Sequence, residues 1–272
     1  PRLSYALRSI SRRASNIEEL LEYIVKIVDS SAFEEIEILK QIADAYRSNR
    51  IHIEYSEDAA YLLTEEIDFN LGEKRLYMTA YVPPFLVQKY ELVKVEDLPT
   101  KVSTSIDTSI SSRYRERSPE FIHNLCEIVI HYIDKHVANL VVVPSKNIAE
   151  ELSKCLLRKG YRIAPPQIID RVDSGTIVID AAGGIATEGI TPSKALKRVI
   201  VAGMPYPSPS PQLNLLAKIY GFDNVYTYIA LLRTVQAVGR LMRWGGEAIL
   251  IDRRYKYYIN RMPSWIEIKN II

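Results

Sequence analysis

Cysteine is nearly missing, with 2 in 272 residues. That number excludes a disulfide scaffold, and the 4 histidines show no paired-ligand spacing, so the chain cannot supply a four-ligand zinc or iron–sulfur site by itself. No apolar run approaches the roughly 18 residues of a membrane span, and no hydrophobic leader opens the chain. These absences point to a soluble protein of a reducing cytoplasm. The Gly-rich dinucleotide fingerprint G-x-G-x-x-G is absent, and so is the phosphate loop G-x-x-x-x-G-K-[ST]. Methionine is missing at position 1, where Pro1 stands, which reads as part of something longer.

What is present belongs to a globular α/β protein. Hydrophobic residues make up 47% and charged residues 25%, enough apolar surface for a sizeable core in one large or two modest domains. The charge is uneven. Residues 1–100 hold 12 Lys/Arg against 18 Asp/Glu, whereas residues 101–272 hold 23 against 15. A basic C-terminal part favours a polyanionic partner.

The first hundred residues read as a mainly helical segment. Ser15 and Glu18 form a capping box, and Ile17, Leu20, Leu21, Ile24, Val25 and Val28 repeat with helical period. Ile36, Leu39, Ile42, Ala43 and Tyr46 continue it in a second helix. Ile51, Ile53 and Tyr55 then alternate as a short strand, and 76–79 reads as another. Around Pro83, Pro84 and Pro99 the pattern dissolves, which sets a boundary near 104. Beyond it, helices and strands alternate. Ser118 and Pro119 start a helix with an apolar stripe through Ile122, Leu125, Cys126 and Val129, on which His123 beside Cys126 reads as ordinary packing. Apolar strands follow at 140–143, 176–180, 199–203 and 248–252. Ser145 caps one helix and Gly160 ends it, with further helices near 211–220 and 226–244. Strands that are apolar throughout imply a parallel sheet covered on both faces.

In such sheets the ligand site lies at the carboxyl ends of the strands. Val143-Pro144-Ser145-Lys146 offers backbone amides and a hydroxyl at a helix start, which suits a phosphate and equally suits simple capping. The loop 180–189 carries Gly183, Gly184, Gly189 and Glu188. Gln236, Arg240 and Arg243 stand at i, i+4 and i+7, so on one continuous helix an amide and two guanidiniums share a face. Two cations a turn apart repel mildly, and planar guanidiniums favour a phosphate between them. Pro205 to Pro211 reads as a stiff connector. Tyr255, Tyr257 and Tyr258 beside Arg253, Arg254 and Lys256 mix stacking faces with charge, as single-strand binders do and as a half-buried C-terminal segment would.

Gln236-x-x-Gly239-Arg240-x-x-Arg243 resembles motif VI of superfamily 2 helicases, and Thr187-Glu188-Gly189-Ile190 resembles motif V of the XPD-like (DinG-related) DNA helicases. In the family's order stand Ile110-Ser111-Ser112-Arg113-Tyr114 with Arg117, Val141-Val142-Val143-Pro144-Ser145 (motif IV), Gly203-Met204-Pro205-Tyr206-Pro207, Leu250-Ile251-Asp252-Arg253-Arg254-Tyr255 and Met262-Pro263-Ser264-Trp265. The resemblance implies a RecA-like (P-loop NTPase-like) parallel sheet flanked by helices. Residues 105–272 would be the second motor domain, and 1–104 a mainly helical segment ending the first. It further implies catalytic roles for Arg240 and Arg243 as arginine fingers with Gln236 assisting, and nucleotide contacts from Glu188, Gly189 and Gly239. DNA contacts would come from Ser145, Lys146, Thr187, Ser112 and Arg113. ATP and Mg2+ would be bound mainly by a first motor domain, upstream or on another chain, and an iron–sulfur cluster would lie outside this chain. The partners implied are single-stranded DNA, with movement 5′ to 3′, and that P-loop domain, with no membrane. The location would be cytoplasmic (nucleoid-associated) or nuclear.

The chain departs from the family at Gly183, Gly184 and Ile185, where Arg-Gly-Lys is usual, and at Thr191, where Asp is usual. Lacking the phosphate loop and its magnesium carboxylate, this chain alone is not expected to hydrolyse ATP. A motor-derived DNA-binding or scaffold module that has lost catalysis is the alternative. An unrelated nucleotide enzyme on a doubly wound sheet fits less, since it predicts the missing fingerprint.

Overall fold

In the computed structural model of the chain the described residues are 17–30, 37–49, 51–55, 60–64, 81 and 100–272. The Ser15 cap, the strand expected at 76–79 and the proline-rich boundary lie outside them. The chain divides into two compact units. The first contains helices α1 (Ile17–Ser30) and α2 (Glu37–Arg47), an antiparallel pair β1 (Ile51–Tyr55) and β2 (Ala60–Thr64), and helix α5 (Pro211–Tyr220), which packs on that pair. The period read in the sequence is used directly, since Leu21, Ile24 and Ala43 form its core with Ile42 and Tyr46 packed against them. Placing α5 in this unit was not foreseen.

The second unit holds residues 81–208 and 222–272 of the described set. Its centre is a seven-stranded sheet, β3 (Val102–Asp107), β4 (Ala138–Val143), β5 (Arg162–Ala164), β6 (Thr176–Ala181), β7 (Leu196–Ala202), β8 (Glu247–Ile251) and β9 (Ile266–Ile271). The order is β5-β6-β4-β7-β8-β3-β9, and every pairing is parallel. All six residues of β4 are buried, because alternate side chains go to opposite covered faces. Leu140 and Val142 face a core shared with helix α6 (Tyr228–Gly239) through Leu231, Val235 and Val238. Val141 and Val143 face a second core under helices α3 (Phe121–Tyr132) and α4 (Lys146–Arg158). This is the RecA-like architecture that the alternation of elements implies.

Three readings need correction. The side chain of Ser118 does not cap α3. Its carbonyl instead closes a turn with the Phe121 amide, and the helix begins at Phe121. Strands β3, β5 and β9 have weak sequence signatures, and β3 joins the sheet although its sequence is VSTSID. Finally, Cys126 on α3 and Cys155 on α4 are joined by a disulfide, with Cα atoms 6.5 Å apart. The two helices lie side by side on one sheet face, so cysteines separated by 29 positions meet, which spacing along the chain cannot reveal.

Candidate nucleotide and DNA interface

Helix α4 begins as expected: the Ser145 hydroxyl accepts from the Ile148 amide at 3.4 Å, and Lys146 is exposed in its first turn. The helix ends at Gly160, whose φ of +82° is the left-handed conformation that glycine adopts freely.

The loop after β6 is built around Asp180. Its carboxylate accepts from the amides of Ala181 and Ala186, both at 2.8 Å, and so folds residues 181–186 back over the strand end. A side chain at Gly184 would run into that carboxylate, which is why glycine occupies the position. The Thr187 hydroxyl donates to the Gly184 carbonyl at 2.8 Å and the residue is buried, so this expected DNA contact is committed internally. Glu188 and Gly189 are exposed.

Opposite the loop, α6 ends at Gly239, three residues after Gln236. From there the backbone tightens into i to i+3 bonds, Leu241 to Val238, Met242 to Gly239 and Trp244 to Leu241. This corrects the single helix read over 226–244: Arg240 is the C-cap and Arg243 lies in the turn beyond it. Both guanidiniums nevertheless turn toward the same loop. Arg240 donates from Nε to the Thr187 carbonyl at 2.9 Å and from Nη1 to the Ile190 carbonyl at 2.8 Å. Arg243 donates to the Thr191 hydroxyl at 3.0 Å, and the Trp244 indole to the Pro192 carbonyl at 3.2 Å. Four hydrogen bonds thus join the end of α6 to residues 187–192.

Between the two lies an open cavity of about 490 Å³, lined by Thr187, Glu188, Gly189, Gln236, Gly239 and Arg240 and floored by Val235, Met242 and Trp265. The Gln236 amide makes no hydrogen bond among the described residues. Arg240 is half-buried, and desolvation pulls its pKa down while the Glu188 carboxylate pushes it up. Arg233, one turn before Gln236, has the same two influences and one long bond to the Pro205 carbonyl at 3.4 Å. Arg233 was missed in the sequence, although its spacing of three from Gln236 and seven from Arg240 placed it on their face.

A second cluster sits at the ends of β3, β7 and β8. Asp252 is fully buried and accepts from the Ser112 amide (2.8 Å) and hydroxyl (2.7 Å), the Met204 amide (3.2 Å) and the Arg254 amide (3.0 Å), Nε (2.9 Å) and Nη2 (2.7 Å). Burial pushes the Asp252 carboxyl up, but bonding and charge from Arg254, with the amides of Arg254 and Ser112, more than offset this and leave it below the usual range. Ser112 was expected to touch DNA. It is buried with both donors on Asp252. Arg113 is exposed and pairs with Glu116 at 3.2 Å.

A family model described as the helicase C-terminal domain matches residues 128–269, just over half of the chain. The chain belongs to the helicase C-terminal domain family. Its fold is that of XPD helicases. It is similar to the structure of an apo XPD, with 18% identity and a TM-score of 0.50 over 64% of this chain and 40% of that one. A second XPD helicase structure gives 19% identity and a TM-score of 0.51 over 63% of this chain and 36% of that one. The chain therefore spans about two fifths of the length of these helicases. No curated protein matches its sequence. No helix among the described residues is long and apolar enough to cross a membrane.

Proposed function

We propose that this helicase domain is the second motor half of an ATP-dependent DNA translocase of the XPD type. It completes a nucleotide site whose phosphate loop belongs to another domain. The observation that carries the reading is the lining of the cavity, where Gln236 and Arg240 stand with donors uncommitted, with Arg233 one turn before Gln236 and Arg243 in the turn after α6. These arginines donate to neutral carbonyls and a hydroxyl, which fix the side chains without cancelling their charge. Such donors suit the three oxygens of a terminal phosphate, and cations preorganised there act on charge that develops in the transition state.

The chain's share of the chemistry is therefore to stabilise the migrating phosphate and to report its presence. The four hydrogen bonds from the end of α6 to residues 187–192 link the cavity mechanically to the loop after β6. That loop and the α4 start, with Ser145 and Lys146, face the same carboxyl edge, where a single strand of DNA would lie.

The test is reconstitution. Adding a P-loop motor domain of the XPD type should give ATP hydrolysis stimulated by single-stranded DNA, with neither half active alone. Binding of DNA without any hydrolysis in the reassembled pair would instead support a module that has lost turnover, a reading favoured by Thr191 in the place where the family has Asp.

A further inference from the structure

Tyr114, in the loop that follows β3 at the sheet's carboxyl edge, is the most exposed large hydrophobic or aromatic side chain among the described residues. It is 84% exposed, yet its backbone is held firmly. The turn Tyr114–Glu116 is closed by bonds from the Glu116 amide to the Arg113 carbonyl (2.9 Å) and from the Arg117 amide to the Tyr114 carbonyl (3.4 Å). Arg117 Nε donates to the Ser112 carbonyl at 2.9 Å, and Ser112 is itself locked onto Asp252. Arg117 lies 5.8 Å from the Tyr114 ring centroid and 5.4 Å from that of Phe121, which braces the ring from one side. An aromatic surface that is already ordered loses little entropy when a ligand covers it.

The ring's surroundings are cationic. Arg113, Arg115 and Arg253 are exposed, and the Arg253 amide bonds to the Ile110 carbonyl at 2.8 Å, which brings the β8 end beside this loop. Glu116 is the acidic side chain in this turn. A bond from the Ser111 hydroxyl lowers its pKa, and so does the charge of Arg113 and Arg253. The patch also continues toward α4. A Cβ at Gly203 would lie 2.8 Å from Ser112 Cβ and 3.1 Å from Pro144 Cγ, so the loop after β3 and the turn that starts α4 meet over this glycine.

We propose that Tyr114 is a base-stacking subsite: a nucleobase of a single-stranded nucleic acid lies on its exposed face while flanking phosphates pair with Arg115 and Arg253. This deepens the DNA-track reading above and rests on it. A strand is required because the bases of a duplex already cover one another's faces, whereas unpaired bases stack on aromatic side chains whatever their sequence.

The experiment measures equilibrium binding of the 272-residue chain, without nucleotide, to a labelled oligothymidine and to an abasic sugar-phosphate oligomer of the same length. Tyr114→Ala should weaken oligothymidine binding about tenfold and leave abasic binding unchanged, while Tyr114→Phe should bind both as the parent does. Arg115→Ala with Arg253→Ala should weaken both oligomers and flatten the salt dependence. Because the ring is exposed, the melting temperature of Tyr114→Ala should match that of the parent. Equal loss on both oligomers, no loss on either, or a Phe variant as weak as Ala would overturn the stacking role alone. Failure of the parent to bind either oligomer would overturn the DNA track and the subsite together.

Discussion

Arg240 and Arg254 stand at the same carboxyl edge of one sheet and are used in opposite ways. Arg254 meets a carboxylate: its Nε and Nη2 both bond Asp252, and its guanidinium lies 4.9 Å from the Tyr206 ring centroid. Its charge is cancelled where it sits, and the pair ties together the ends of β3, β7 and β8. Arg240 meets only carbonyl oxygens, at Thr187 and Ile190, with Glu188 acting across the cavity without a direct bond. Neutral acceptors fix the geometry and leave the positive charge for an incoming anion. The lesson is that the partner of an arginine, more than its burial, separates a cation that holds the fold from one that can serve a phosphate.

That contrast can be broken most sharply by removing each cation's function. Arg240→Ala in the reconstituted motor should lower ATP turnover by about 10³-fold or more. Its equilibrium unfolding should change little, because only two bonds to loop carbonyls are lost, and the affinity for DNA should stay close to that of the parent. Turnover equal to the parent would assign the site elsewhere. Asp252→Ala should do the reverse. It leaves Arg254 uncompensated and strips acceptors from Ser112 and Met204, so denaturant unfolding should show a loss of about 3–5 kcal/mol.

Acid should separate the clusters in the same direction. Asp252 is held below its ordinary carboxylate range, so its contribution to stability is complete above about pH 4 and is lost as the pH falls through the lower folded value. Melting temperatures measured from pH 5 downward should fall more steeply for the parent than for Asp252→Asn, which has no carboxylate to protonate. A smaller effect is expected from Thr191→Asp, which would give Arg243 the kind of partner that Arg254 has. The pair would be exposed, so stability should shift by less than about 1 kcal/mol, while the affinity of the chain for inorganic phosphate should drop. Unchanged phosphate affinity would show that Arg243 does not contribute its charge to the cavity.

Motif readings survived the passage to three dimensions where the physics is local. The Ser145 cap, the Gly160 stop and the doubly buried strand read at 140–143, which the structure extends back to Ala138, follow from neighbouring residues and were legible. Gln236 and Arg240, singled out by their spacing, both line the cavity, and Arg233 was available to the same argument. Other readings look different in three dimensions, some through distant segments and some through the local backbone. Ser112 is hidden by a carboxylate 140 positions away, Thr187 turns its hydroxyl inward, and Arg243 leaves the helix when the backbone tightens after Gly239.

The sequence by itself determined the alternation of covered strands and helices, the family to which the chain belongs, and the cationic side chains of the last long helix, because periodicity and capping act over a few residues. Only the tertiary structure decided which arginine is neutralised, that two cysteines meet, and that Tyr114 stays in water on a rigid turn. Those outcomes depend on which strand ends become neighbours in the sheet, and parallel pairing places side by side segments that lie far apart along the chain.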